Sequence, residues 1–131
     1  MKYLRVIIAG SRGFTDYELL SDESSKIISE ILFDNPDISD VEIVSGTARG
    51  ADELGEKFAE DEGYHIARFP ANWNLFGKRA GYIRNTEMAK YAVDDNSHGV
   101  LIAFWDKISK GTKHMIDIAE EYGLEVYVIE F

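Results

Sequence analysis

The chain has 131 residues, 45% of them hydrophobic, no cysteine and a formal charge of −10. That length suits one domain, spanning 1–131, that buries roughly two-thirds of its unfolded surface. The missing thiols exclude disulfides, thiolate nucleophiles and Cys-type zinc sites, and no apolar run approaches the ~18 residues of a membrane span.

Met1-Lys2-Tyr3 leads straight into an apolar run without a cleavable signal pattern, so a cytoplasmic protein with no membrane partner is expected. Tyr3–Ala9 is nearly continuously apolar, interrupted by Arg5, as in a strand covered on both faces. Thr15-Asp16-Tyr17-Glu18 reads as a capping box opening a helix that runs to about Phe33 and stops at Asn35-Pro36-Asp37. Val41–Val44 is the second strand. A helix from about Gly50 to Glu62 ends at Gly63, and Tyr64–Arg68 is a short third strand. Lys78–Ala92 forms a third helix, Gly99–Phe104 a fourth strand, Thr112–Tyr122 a fourth helix, and Glu125–Phe131 closes the set. Strands alternating with helices of this length imply right-handed crossovers. The expected fold is therefore an α/β, Rossmann-like, doubly wound parallel sheet of about five strands in order 3-2-1-4-5, with helices on both faces.

In such a sheet every strand-to-helix loop emerges at one edge, so four turn-rich segments converge there. Gly10-Ser11-Arg12-Gly13 offers a tight turn, a hydroxyl and a planar cation; a plain turn with a solvated arginine is the alternative. Ser45-Gly46-Thr47-Ala48-Arg49-Gly50 puts N–H groups and hydroxyls just before a helix start, where an anion is favoured by ~0.3–1 kcal/mol. Asp52, in that helix's first turn, either complements the dipole or accepts from a ribose hydroxyl. In Asn72-Trp73-Asn74 the indole can stack on a base, with Asn72 or Asn74 reading its edge; the alternative is an indole folded over the helix layer. Arg84 and Asn85 lie one and a half turns into the third helix, so at most one should face the rim. Arg84 is read as functional and Lys78 as solvated. Trp105 and Ser109-Lys110-Gly111-Thr112 repeat the cradle logic before the fourth helix, without the Walker A spacing.

Charge is uneven. Asp16 to Glu62 holds fifteen acids against three bases, whereas Arg68 to Lys90 holds five bases against Glu87 alone. A cationic patch on an acidic body suits a small anion better than a long polyanion, whose sequence-blind binding depends on counterion release. His65, His98 and His114 lack metal-ligand spacing, His114 reading as a surface residue, and no metal or cofactor is expected.

Gly-Ser-Arg-Gly-Phe-Thr at 10–15, Ser-Gly-Thr-Ala-Arg-Gly-Ala-Asp at 45–52, Arg-Asn-x-x-Met-Ala at 84–89 and Ser-Lys-Gly-Thr at 109–112 resemble the SLOG superfamily, in particular its YspA/YpsA-related branch. The resemblance spans essentially the whole chain and implies the Rossmann-like fold. That superfamily includes the Lonely guy phosphoribohydrolases, which cleave base from ribose 5′-monophosphate, and DNA-processing protein A, which binds single-stranded DNA. Arg84 and Met88 fit the Lonely guy helix pattern and Gly111-Thr112 its glycine-rich loop. Met115, however, stands where those enzymes carry a catalytic glutamate, and a thioether cannot handle a proton.

Three readings follow. In the first, the protein binds a nucleotide or nucleotide-derived molecule as a sensor or signalling module, as the resemblance implies for many SLOG proteins, some linked to phage conflict. In the second, an enzyme cleaves an N-glycosidic ribosyl bond with Asp52 or Asp117 as the carboxylate. The third is a single-strand nucleic-acid binder using the patch from Arg68 to Lys90. A homodimer is expected by analogy with SLOG relatives.

Overall fold

The computed structural model describes residues 2–131. Its five strands are β1 (Lys2–Gly10), β2 (Ile38–Ser45), β3 (His65–Arg68), β4 (His98–Trp105) and β5 (Glu125–Glu130). They form one parallel sheet in the order β3-β2-β1-β4-β5. The helices are α1 (Tyr17–Asp34), α2 (Ala51–Glu62), α3 (Trp73–Phe76), α4 (Ala80–Val93) and α5 (Lys110–Glu121). No helix is long and apolar enough to cross a membrane among the described residues.

β1 is the central strand, in register Leu4↔Val41 on one side and Leu4↔His98 on the other. Its side chains alternate between two cores, which explains its almost unbroken apolar sequence. Leu4, Val6 and Ile8 pack with Leu20, Ile28 and Phe58 under α1 and α2. Ile7 and Ala9 pack with Met88, Ala92, Met115 and Ala119 under α4 and α5. The interruption at Arg5 is buried and ion-paired: its Nε lies 3.2 Å from Glu42 Oε1 without a hydrogen bond, its Nη1 donates to the Tyr91 carbonyl at 2.8 Å, and the guanidinium stacks over the Tyr91 ring. That arrangement joins β1, β2 and α4 at the end of the sheet away from the loops read as functional.

Three local expectations change. The N-cap of α1 is Asp16, whose Oδ1 accepts from the Leu19 N–H at 3.0 Å, so Thr15 does not open a capping box. β2 begins at Ile38, three residues earlier than its apolar run, because pairing with Lys2 extends the ladder. Asn72-Trp73-Asn74 is not open loop. Asn72 caps the four-residue α3 by accepting from the Leu75 N–H at 3.1 Å, and a 3-10 turn over Gly77–Arg79 leads into α4.

Candidate functional site

The loops after β1, β2 and β4 meet at one edge of the sheet, against α4. The Ser11 N–H donates to the Phe104 carbonyl at 3.0 Å, and a Cβ on Gly10 would sit 2.2 Å from that same oxygen, so β1 approaches β4 too closely for any side chain at Gly10. Phe14, stacked on Phe104 and edge-on to Phe131, holds the other end of the Arg12 loop in the core. Gly50 has φ +80°, and a Cβ there would meet the Ser11 and Arg12 carbonyls. The β1 and β2 loops are thereby locked together, with Arg12 and Arg49 on their outer side.

The β2 loop is held from beneath. The buried Ser45 hydroxyl donates to Glu56 Oε2 at 2.6 Å and accepts from the Thr47 N–H at 3.0 Å. Glu56 Oε1 in turn receives Arg68 Nε at 2.9 Å. Thr47 has φ 64°, a conformation a β-branched residue adopts only when its surroundings impose it. Asp52 is 5% exposed and accepts from the Ala48 N–H at 3.2 Å. Burial raises its pKa to about 6, against the opposing pull of Arg84, the Ala48 hydrogen bond and Arg12.

Across the crevice, Arg84 donates through Nη1 to the Gly46 carbonyl at 2.5 Å and through Nε to Asn85 Oδ1 at 3.1 Å. Burial, with Arg12 nearby, lowers the Arg84 pKa, while Asp52 opposes that shift. Asn85 Nδ2 lies 3.3 Å from the Gly111 carbonyl and 3.1 Å from His114 Nδ1. Both Arg84 and Asn85 therefore reach the rim, correcting the expectation of at most one. The long Arg84 side chain bends back over the β2 loop, while the short Asn85 side chain crosses to α5. His114 is no free surface group either. Its ring stacks on Tyr82 at 4.1 Å, and desolvation lowers its pKa. Ser109 caps α5 with its hydroxyl, and Asp106 Oδ1 accepts from the N–H groups of Ile108 and Ser109. The Lys110 and Gly111 N–H groups take no partner among the described residues, as first-turn donors of a helix do.

The crevice consists of two chambers. The first, about 160 Å³, is lined by Gly10, Arg12, Asp52, Trp73, Arg84, Asn85, Ser109, Gly111 and Thr112. Ala9, Ala48, Lys78, Gly81, Tyr82, Met88 and Met115 complete its wall. The second, about 300 Å³, is lined by Gly46, Thr47 and Arg49 and shares Arg12, Ala48, Trp73 and Arg84 with the first. Six candidates line neither chamber. Ser11 and Ser45 are buried and hydrogen-bonded within the protein, Gly13 is exposed, and Asn72 caps α3. Trp105 packs against the core beside α5 and donates Nε1–H to the Ser109 carbonyl, so of the two indoles Trp73 is the one that borders the crevice. Asp117 pairs with Lys113 on the exposed face of α5, away from the crevice, which leaves Asp52 as the one carboxylate in its lining among the described residues.

Glu56 and Tyr82 are absent from the sequence reading, and Lys78 and His114 stand in it as a solvated and a surface group. For Glu56 a signal existed: it follows Asp52 by four residues, one helical turn on the same face. Lys78 is read as solvated from sequence yet lines the first chamber, because the 3-10 turn folds it back toward α4.

The family model described as "YspA, cpYpsA-related SLOG family" matches residues 4–76. The chain belongs to this SLOG family. The match takes in the Gly10 and Ser45 loops, Asp52 and Trp73, and ends before α4 and α5. The Gene 61 protein of Mycobacterium phage D29 is similar to the chain at 32% identity over 131 residues, covering 93% of each. No solved structure matches it.

Proposed function

We propose that the crevice binds a nucleotide or nucleotide-derived small molecule and that the protein serves as a sensor or signalling module. The carrying observation is the pairing state of its arginines. In a chain with 24 acidic and 14 basic residues, Arg5 and Arg68 are paired with glutamates. Four arginines form no ion pair among the described residues; three of them, Arg12, Arg49 and Arg84, line the crevice, and the fourth, Arg79, is exposed in the 3-10 turn before α4. Cations without a carboxylate partner in an acidic protein, three of them gathered on one concave surface, are arranged for an anion brought from outside. Phosphate suits the guanidinium fork. Half-exposed Trp73 borders both chambers as a stacking face, and Asp52 is placed to accept from a sugar hydroxyl.

Binding without hydrolysis is favoured by Met115, whose buried thioether lines the first chamber and offers no proton. One observation supports the second reading, cleavage of a ribosyl bond: a carboxyl with pKa about 6 inside the crevice is suited to acid–base work near neutrality. Incubation with AMP, NAD and ADP-ribose followed by chromatography separates the two. Intact ligand with a raised melting temperature is the expected result. Free base or nicotinamide, lost on Asp52→Asn, would assign the enzyme reading instead.

A further inference from the structure

We infer that the crevice is built for a diphosphate, terminal or bridging, rather than for a single phosphate; this rests on the nucleotide reading above. The two chambers differ in chemistry. The first contains Asp52, the one carboxylate among the described residues of the lining, which offsets Lys78 there, together with the apolar side chains of Ala9, Met88 and Met115. Its volume of about 160 Å³ lies below the roughly 300–1,000 Å³ of small-molecule sites, so a nucleotide that enters it must extend into the second. The second chamber, about 300 Å³, contains no carboxylate and adds Arg49 to the shared Arg12 and Arg84.

Charge sets the orientation of such a ligand. Asp52, when ionised, repels an anion from the first chamber and favours a neutral, hydroxyl-bearing group there. One phosphate between Arg12 and Arg84, at the junction, answers those two guanidinia. It leaves Arg49 without a counter-charge and most of the second chamber unfilled. A second phosphate joined to the first answers both. The loop carrying Arg49 is already set for it. The Ser45–Glu56–Arg68 chain holds the strained Thr47 turn, and Gly50 locks against the Arg12 loop, so little ordering remains on binding. Burial and the neighbouring Arg12 hold the Arg84 pKa down, a strain that a diphosphate relieves more fully than a monophosphate.

The test is calorimetric titration of the full chain with AMP, ADP and ADP-ribose, repeated on Arg49→Gln. ADP or ADP-ribose is expected to bind at least about tenfold more tightly than AMP, and Arg49→Gln to reduce that preference by about tenfold, the size of one charge-assisted contact. Preference for ADP assigns a terminal diphosphate; preference for ADP-ribose assigns a bridging one. Equal affinity for all three, or a preference that survives in Arg49→Gln, would overturn the diphosphate inference while leaving nucleotide binding intact. No binding of any of the three would overturn both.

Discussion

Asp52 and Arg84, from helices on opposite faces of the sheet, converge on the space beside Gly46: a Cβ there would lie 2.7 Å from Asp52 Oδ2 and 2.8 Å from Arg84 Nη1. The bare backbone at Gly46 is what lets a carboxylate and a guanidinium approach the same point of the crevice. Gly46→Ala should therefore push two flexible side-chain ends aside and change stability by less than about 2 kcal/mol. It should nevertheless weaken AMP binding at least about tenfold by calorimetry. Gly10→Ala, which meets the Phe104 backbone oxygen, should cost more than about 3 kcal/mol in denaturant unfolding. A larger stability loss for Gly46→Ala than for Gly10→Ala would show that the bare backbone at 46 is structural instead.

Asp52 makes stability depend on pH in a defined direction. Its folded pKa of about 6 lies above the ordinary 3.8, so the folded state binds its proton more tightly than the unfolded chain does. The resulting stabilisation is fully present below about pH 4 and is lost as pH rises through 6, a swing of about 3 kcal/mol. Asp52→Asn should be more stable than the parent at pH 7.5 by about this amount, with the difference shrinking toward pH 4. A constant difference across that range would contradict the buried, charge-disfavoured carboxylate.

His114 acts oppositely. Desolvation lowers its folded pKa, and the neutral ring accepts from Asn85 Nδ2. The unfolded chain takes up the proton first, so this contribution is present above about pH 6.5 and is lost as pH falls below it. A proton NMR titration should place the His114 midpoint below those of free histidines; a midpoint above about 6.5 would mean that the ring is not held neutral.

The tryptophans should separate by function. Trp73 is 51% exposed and borders both chambers, whereas Trp105 is tied to the Ser109 carbonyl and packed on the core. Nucleotide should change the emission of Trp105→Phe, which retains Trp73, and leave that of Trp73→Phe unaltered. The reverse pattern would place the ligand elsewhere.

The sheet order was legible because apolar runs, glycine stops and helical stripes alternate along the chain, and parallel crossovers allow few topologies. The loops that build the crevice were legible for the same reason, since a strand end fixes where its loop emerges. What each polar group does there was not. Ser45 and Ser11 read as ligand hydroxyls, yet both are spent inside the protein, because buried hydroxyls take the nearest partner and Glu56 and the Asp106 N–H lie within reach. The α3 turn escaped notice because four residues carry no helical period, and its only signal was Asn72 as a cap. Spacing along α4 shows which face Asn85 occupies, but not that α5 lies across that face to receive it.

Nucleotide binding depends on Arg84 holding an anionic ligand between the two chambers. Calorimetric titration of AMP into the parent chain and into Arg84→Ala, with both first shown to unfold cooperatively, tests this directly. Saturable binding to the parent that weakens at least about tenfold in Arg84→Ala is the predicted result. Absence of binding to the parent, or equal affinity in the variant, would contradict it.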